Sequence, residues 1–196
     1  MTFTPSSEIK VSVLPEQREW VGTPEMIGRA VQREDTVAFD IWDENQLVGF
    51  VLLRKFQEGE WFLWEYVIDC AMQRRGYGRK ALGALIRLMQ ERYGLPMFIT
   101  ENGLSCTDKV YRDGKVHDAD RIDFLARYLE KLSEGIHAGA DVRGYFQWSL
   151  LDNFEWHSGY RERFGLEYVD YATGQRIPKD SAFWYGEVAA TNGQSI

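Results

Sequence analysis

The first seventy residues contain four apolar-rich stretches that predict β-strands: the first alternates apolar and polar residues, and the next two are rich in Val, Phe and Leu. Four polar residues, Asp43 to Gln46, separate the second stretch from the third and predict the turn of an antiparallel hairpin. Thr23 followed by Pro24 predicts the start of a helix between the first two stretches. The four predicted strands are IKVSVL (residues 9–14), TVAFDIW (36–42), LVGFVLLRKF (47–56) and WFLWEYVID (61–69).

The spacing of apolar residues changes to a helical period in the middle of the chain. They recur every three or four positions from Arg79 to Arg92, and Gly94 follows where a C-terminal cap is expected. A strand MFIT (97–100), a helix RIDFLARYLEKLSEGIHAG (121–139) and a strand GYFQWSL (144–150) come next. This order predicts a parallel βαβ unit. The tail adds a short strand within GLEYVDY (165–171) and a last helix at SAFWYGEVA (181–189).

These elements predict an α/β fold. We expect one mixed sheet, antiparallel in its first strands and parallel afterwards, with helices packed on it. The natural division falls near residue 94, into segments 1–94 and 95–196. No Gly/Ser-rich or Pro-rich spacer marks that point, and independently folded domains usually have one. Two domains and one merged domain both remain open.

Composition narrows the classes of function. A formal charge of -7 and a pI near 5.1 argue against nucleic acid or an anionic membrane as partner. Two cysteines, Cys70 and Cys106, form no disulfide framework, and no apolar run is long enough to span a bilayer, so we expect a cytoplasmic protein. The three histidines lie apart from cysteines and carboxylates at ligand spacing, which predicts no metal site.

The turn QRRGYG, between the strand ending at Asp69 and the long helix, has the chemistry of an anion site. The first turn of a helix has unpaired N–H groups and the positive end of the helix dipole. Gly76 and Gly78 allow close approach of a ligand, and Arg74, Arg75 and Arg79 add positive charge. A pyrophosphate suits this turn, and a basic turn without a ligand is the alternative.

Residues 1 to 94, with VGF in a hairpin, then YVID and QRRGYGRKALGALI, resemble the amino-terminal part of the GNAT family of N-acetyltransferases, in detail its polyamine-type members. The resemblance implies that the turn holds the pyrophosphate of acetyl-CoA, the co-substrate, and that an amine accepts the acetyl group. It implies Glu65 as a candidate base, with a solvent-facing strand residue as the alternative. The implied cofactor-binding residues are Val67 and Ile68, through their main chain, with Gln73, Arg74, Arg75, Gly76, Tyr77 and Gly78.

A second constellation lies in the last hundred residues. MFITENG places Glu101 at the carboxyl end of a predicted strand, and WSLLDNFEW follows the next parallel strand, so both sets of side chains are expected at the same edge of the sheet. ITENG and WSLLDNFEW, within residues 92–186, closely resemble family-one glycoside hydrolases, the β-glucosidases and 6-phospho-β-glycosidases. The resemblance implies Glu101 as the nucleophile. It also implies that Trp148, Glu155 and Trp156 contact the sugar, with Phe164 near its edge.

The sugar site lacks a partner that its chemistry requires. Retaining hydrolysis needs a second, protonated carboxyl group about 5–5.5 Å from the nucleophile. In the family this group belongs to an Asn-Glu-Pro motif, which the sequence does not contain. Asp152 and Glu155 are the candidates to replace this acid. We expect both instead to stabilise the structure or to bind sugar hydroxyls. A (β/α)8 barrel also needs about 250 residues.

The sequence is therefore predicted to be a chimera of the two families, and three hypotheses follow. The first is acetyl-CoA binding with acetyl transfer to an amine. The second is a β-glucosidase fragment, acting on a β-glucoside but without its acid/base. The third is a non-catalytic carbohydrate-binding or inert remnant that self-associates through exposed apolar faces. Recombination or artificial joining of the two segments also explains the junction near residue 94, and neither requires that the chain was selected for a function.

Overall fold

The computed structural model describes residues 1–18 and 21–196. The chain divides into two compact units, Met1–Leu95 and Pro96–Ile196. Each unit has its own strands and its own buried residues.

The amino-terminal unit is built on a four-stranded antiparallel sheet. Its strands are β1 (Thr2–Pro5), β2 (Thr36–Asp43), β3 (Gln46–Gln57) and β4 (Glu60–Ile68), in the spatial order β1-β2-β3-β4. The predicted hairpin is confirmed, since Asp43 pairs with Gln46 across the turn between β2 and β3. β4 lies at an edge of this sheet and pairs with β3 alone among the described strands.

Two helices cover the two faces of this sheet. Helix α1 (Pro24–Val31) buries Ile27 against Phe50 and Leu52 of β3, whereas helix α2 (Tyr77–Tyr93) buries Leu85 in the cluster that contains Val51. Successive side chains of a strand point to opposite faces, so the two helices lie on opposite sides of β3. Both helix ends predicted from the sequence are confirmed. Thr23 accepts a hydrogen bond from the Met26 N–H, and Gly94 has a left-handed φ of 61°.

The predicted strand at residues 9–14 is wrong. These residues form no strand, and Thr2–Pro5 is the segment that pairs with β2. Ile9 and Val11 still pack against the buried cluster under α1. The alternation of apolar and polar residues therefore reflects packing of one side of this segment against the cluster. Such packing does not require hydrogen bonds to a neighbouring strand.

The carboxy-terminal unit contains the predicted βαβ unit. Strand β5 (Met97–Asn102) and strand β6 (Val142–Gln147) are parallel, and helix α3 (Ala119–His137) connects them in sequence. Short strands β7 (Glu167–Val169) and β8 (Arg176–Pro178) form an antiparallel pair, and helix α4 (Asp180–Ala190) packs against α3. Buried apolar residues of this unit are Val116, Leu125, Leu129, Leu132, Ala140, Leu166 and Val188.

The expectation of one mixed sheet is wrong, although an α/β fold with antiparallel and parallel strands is present. In the described part of the chain the antiparallel strands β1–β4 form one sheet, the parallel pair β5–β6 a second and β7–β8 a third. The order of elements along the chain predicts strand direction within a βαβ unit, but it does not decide which strand edges meet.

The parallel pair β5–β6 has an open apolar surface. Phe98 of β5 is 55% exposed and Phe146 of β6 is 57% exposed. Parallel strands in α/β proteins are normally covered on both faces, so these two rings form an uncovered apolar patch. No helix among the described residues is long and apolar enough to cross a membrane.

Candidate functional site

The turn between β4 and α2 is held from both sides by side-chain hydrogen bonds. Asp69 accepts one from the Ala71 N–H (3.0 Å) and one from the Ser12 N–H (3.0 Å), which ties the turn to the segment before α1. The amide of Gln73 pairs with that of Gln17 (2.8 and 3.1 Å) and donates to the Ile68 carbonyl (3.0 Å). The side chain of Gln73, predicted to bind cofactor, therefore holds the turn in place.

The basic part of the turn is open on its outer side. Arg74 has a φ of 61°, and Gly76, immediately before α2, has a φ of 81°. A Cβ added at Gly76 would meet one neighbour within 4 Å, the Nη2 of Arg79 at 3.7 Å. Arg74 and Arg75 are exposed. The first turn of α2 is thus approachable, with guanidinium groups beside it, which is the arrangement that suits a pyrophosphate.

The other predicted cofactor residues lie next to this turn. Val67 is buried, and the Ile68 carbonyl is occupied by Gln73. Tyr77 packs against the cluster under α2, and the Tyr66 hydroxyl donates a short hydrogen bond to the Gly78 carbonyl. Tyr77 is therefore at least partly a packing residue, and Tyr66 is a contact that sequence reasoning missed.

Glu65 is half-buried on the α1 face of β4. It lies opposite Leu52, and its Oε1 accepts a hydrogen bond from the Gly22 N–H at 3.3 Å. Burial raises the pKa of this carboxyl, and the Gly22 hydrogen bond opposes the rise in part. A carboxylate with a raised pKa is a better proton acceptor near neutral pH. Glu65 is therefore not the freely solvated strand residue of the alternative interpretation.

Glu101 lies exposed near the carboxyl end of β5. The neighbouring residues bring β5 and β6 together at this end, because the Asn102 carbonyl accepts from the Trp148 N–H (2.9 Å) and the Asn102 side chain accepts from the Tyr145 hydroxyl (2.7 Å). A Cβ at Gly103 would lie 1.8 Å from the Trp148 carbonyl oxygen. Glycine is thus required there, and the segments that carry Glu101 and Trp148 are adjacent.

The other predicted sugar residues lie on the loop after β6. Trp156 is 78% exposed, and Glu155 is partly exposed with its N–H bonded to the Gly159 carbonyl (2.7 Å). The Phe164 carbonyl accepts from the Ser149 N–H (3.1 Å). No described hydrogen bond or ion pair joins Glu155 or Trp156 to Glu101. The structure therefore places the segments of Glu101 and Trp148 side by side, and Glu155 and Trp156 follow Trp148 on the loop after β6.

Asp152 belongs to a buried network of charges. Its Oδ1 accepts from Lys179 (2.8 Å) and from the Gly165 N–H (2.9 Å), and its Oδ2 accepts from Arg163 (2.6 Å). Lys179 also pairs with Asp108 (2.5 Å), which pairs with Arg121 (2.7 Å). These contacts leave Asp152 without a role as an acid. The sequence analysis did not predict this network. Its members are charged residues far apart in the sequence, and no local pattern indicates that they are buried together.

His117 forms an exposed pH-sensitive contact in the same unit. Its Nδ1 lies 2.6 Å from Asp180 Oδ2, and its Nε2 lies 3.1 Å from Asp113 Oδ2. Hydrogen bonds, first with Asp180 and then with Asp113, raise the pKa of His117 above its ordinary value of 6.5. The ionised ring stabilises the folded unit.

We expect that stabilisation to be fully present below pH 6.5, the pKa in the unfolded chain, and to be lost as pH rises through the higher folded pKa. The measurement is the urea midpoint of wild type and of His117→Asn across pH 5 to 9. The difference between the two proteins should shrink toward high pH. His137→Asn, at the end of α3, is the control, and a difference that grows with pH would contradict the assignment.

Comparison with known proteins gives two family matches. The family model described as "Acetyltransferase (GNAT) family" matches residues 6–105, and the one described as "Glycosyl hydrolase family 1" matches residues 59–194. The matches overlap over residues 59–105, which contain β4, α2 and β5.

Individual relatives match the carboxy-terminal part. The "Bifunctional beta-D-glucosidase/beta-D-fucosidase" of Bifidobacterium breve is 55% identical over 105 residues, 52% of this chain and 23% of the relative. "Beta-glucosidase A" of Thermotoga maritima is 48% identical over 110 residues, 56% of this chain and 25% of the relative. The solved "Family 1 b-glucosidase from Thermotoga maritima" superposes with a TM-score of 0.57 at 45% identity, over 59% of this chain and 26% of that one. The chain spans about a quarter of the length of these relatives.

Proposed function

Because the chain belongs to the GNAT acetyltransferase family over residues 6–105 and to glycosyl hydrolase family 1 over residues 59–194, we propose that it is a chimera whose amino-terminal unit binds acetyl-CoA and transfers the acetyl group to an amine. The observation that carries the proposal is the turn at residues 73–79. Its backbone is left-handed at two positions, its outer side is open, and three arginines surround the first turn of α2.

The turn fits a pyrophosphate for electrostatic reasons. Two phosphate groups bring negative charge to a helix N-terminus, where the dipole favours it. Arg74 and Arg75 are exposed and can form charge-assisted hydrogen bonds with phosphate oxygens. Gln73 holds the turn in this shape before ligand arrives, which lowers the entropy cost of binding.

The acetyl group would lie along β4, beside the main chain of Val67 and Ile68. A neutral primary amine attacks the thioester carbonyl carbon, the C–N bond forms, and the C–S bond breaks to release the thiolate of coenzyme A. Glu65 takes the proton that the amine nitrogen loses, and the thiolate takes up a proton from solvent. Holding amine and thioester together makes the attack effectively unimolecular.

Acetyl-CoA is expected to raise the melting temperature of the purified chain. A ligand that binds only the native state, at a hundred times its Kd, adds about 2.7 kcal/mol to stability. The double variant Arg74→Glu/Arg75→Glu should lose at least tenfold in affinity, because charge-assisted hydrogen bonds contribute about 1.5–3 kcal/mol each. Arg87→Glu, an exposed reversal on the same helix, is the matched control and should bind as wild type does. No shift with wild type would disprove the proposal.

A second candidate function is sugar binding by the carboxy-terminal unit. It is favoured by the adjacency of Glu101 and Trp148 and by the identity of 45–55% to proteins named as β-glucosidases. A solved relative is described as "Beta-glucosidase from Thermotoga maritima in complex with deoxynojirimycin". We propose that this chain keeps a partial platform for a β-glucoside, with Glu101 as a nucleophile that has no acid partner.

Self-association is the third candidate, and the uncovered rings of Phe98 and Phe146 favour it. Contiguous exposed apolar surface is uncommon on monomeric proteins. Sedimentation of the purified chain at several concentrations tests this candidate, and a monomer at all of them would exclude it.

A further inference from the structure

The α1 face of β4 carries two exposed aromatic rings beside Glu65. The register of β4 against β3 shifts between Leu63 and Glu65, so that Trp64 has no partner of its own. Such a bulge bends the strand and re-aims side chains. Phe62 and Trp64 lie with ring centroids 6.3 Å apart, and both are partly exposed. These two rings are called the aromatic pair below.

The register places the aromatic pair and Glu65 on one face. Leu52 lies opposite Glu65, and Arg54 lies opposite Phe62. Leu52 and Arg54 are two residues apart on β3, so they point to the same side of the sheet. The Arg54 guanidinium also lies 4.9 Å from the centre of the Trp64 ring. Glu65, Phe62 and Trp64 therefore face the α1 side together.

The charges around this face favour a ligand with one positive charge. Asp35 forms ion pairs with Arg33 (2.7 Å) and Arg54 (3.0 Å), which hold the pKa of Asp35 below its ordinary value. Asp40 is buried and paired with Lys10 (2.7 Å). Glu65 is the half-buried carboxylate of this face without a described cationic partner, whereas Glu60, two residues before Phe62 on β4, is exposed to solvent. A second ammonium group near the aromatic pair would also meet Arg54.

We propose that the amine acceptor is a primary monoamine whose body carries an aromatic ring, rather than a polyamine. The ammonium group is drawn to the Glu65 carboxylate and releases one proton to solvent before the attack, so that Glu65 can take the second proton, and the ring stacks on the aromatic pair. The inference rests on the proposed acetyl transfer, because it assigns that reaction its acceptor. It departs from the polyamine-type acceptor that the sequence resemblance implies, because the groups beside Glu65 are two rings and an arginine instead of further carboxylates.

The test is equilibrium binding of 2-phenylethylamine and of spermidine to the whole chain, with and without coenzyme A. We expect 2-phenylethylamine to bind more tightly than spermidine. Trp64→Ala should weaken the binding of 2-phenylethylamine by about two- to tenfold, the usual effect of losing an aromatic contact. The affinity for spermidine should stay unchanged. Phe183→Ala removes an exposed ring on α4 of the carboxy-terminal unit and is the matched control.

A second variant distinguishes recognition from a purely structural role. Arg54→Ala should improve spermidine binding, because it removes the charge that repels a second ammonium group, and loss of structure alone would not do this. Tighter binding of spermidine than of 2-phenylethylamine, or binding of neither, would overturn the inference. Failure of acetyl-CoA to raise the melting temperature would overturn the proposed acetyl transfer instead, and the amine measurement without coenzyme A would still stand.

Discussion

Replacing Lys179 by methionine is expected to destabilise the carboxy-terminal unit by about 3–5 kcal/mol, the usual cost of removing one partner from a buried ion pair. The Lys179 side chain is fully buried and bridges Asp108 (2.5 Å) and Asp152 (2.8 Å), whose side chains are almost completely buried too. Methionine preserves the apolar stem but leaves both carboxylates with less compensating charge. The penalty comes from desolvated negative charge and not from lost packing.

Urea unfolding followed by circular dichroism measures the loss, and hydrogen exchange of α3 and α4 assigns it to this unit. The matched control is Lys131→Met, which removes a pair with Glu134 that is partly exposed to solvent. Exposed pairs contribute about 0–1 kcal/mol, so the control should unfold nearly as wild type does. Equal effects of the two substitutions would show that the buried network is not what holds the unit together.

Cellobiose is expected to be hydrolysed at least about 10²–10⁴ times more slowly than by a retaining β-glucosidase that has both carboxyl groups, because that is the usual contribution of general acid catalysis. The sequence contains no Asn-Glu-Pro motif to supply the acid, and Asp152 is bound within the buried network. Glucose release measured over hours, with enzyme at micromolar concentration, tests the rate.

Glu101 itself is expected to remain reactive toward a substrate whose leaving group needs no proton. A 2-deoxy-2-fluoroglucoside of dinitrophenol should form a covalent bond between the Glu101 carboxylate and the anomeric carbon as the phenolate leaves. Mass spectrometry of peptides locates the adduct. Glu101→Gln should abolish it, and Glu130→Gln, an exposed change on α3, should not. Rapid cellobiose hydrolysis that Glu101→Gln removes would mean that a second carboxyl group acts beside it.

Local signals predicted most elements of the fold. The Thr23 cap, the Gly94 cap and the hairpin turn after Asp43 appear where the sequence placed them, because each depends on residues within one turn of chain. The strands β3 and β4 and the helices α2 and α3 were predicted for the same reason. The strand predicted at residues 9–14 is absent. Its alternating apolar residues pack against the cluster under α1 and have no strand partner.

The site residues also divide into those that a local motif predicts and those that depend on contacts between distant segments. The turn at residues 73–79 and Glu101 were visible as motifs, because the chemistry depends on neighbouring residues. The pairing of Gln17 with Gln73 and the approach of Glu65 to Gly22 join positions 56 and 43 residues apart. The bulge at Trp64 is set by the register between two strands. No pattern within a single segment predicts contacts of this kind.

By itself, the sequence determined most of the elements, their order and the two families whose motifs it contains, since backbone conformation and motif chemistry follow from nearby side chains. The tertiary structure alone decided that the parallel pair β5–β6 is a sheet separate from β1–β4, that Lys179 lies between two aspartates far away in sequence, and that an aromatic pair lies beside Glu65. The physical reason is that strand-edge pairing and charge burial depend on which distant surfaces meet, and the free energy of those encounters is not recorded in any local pattern.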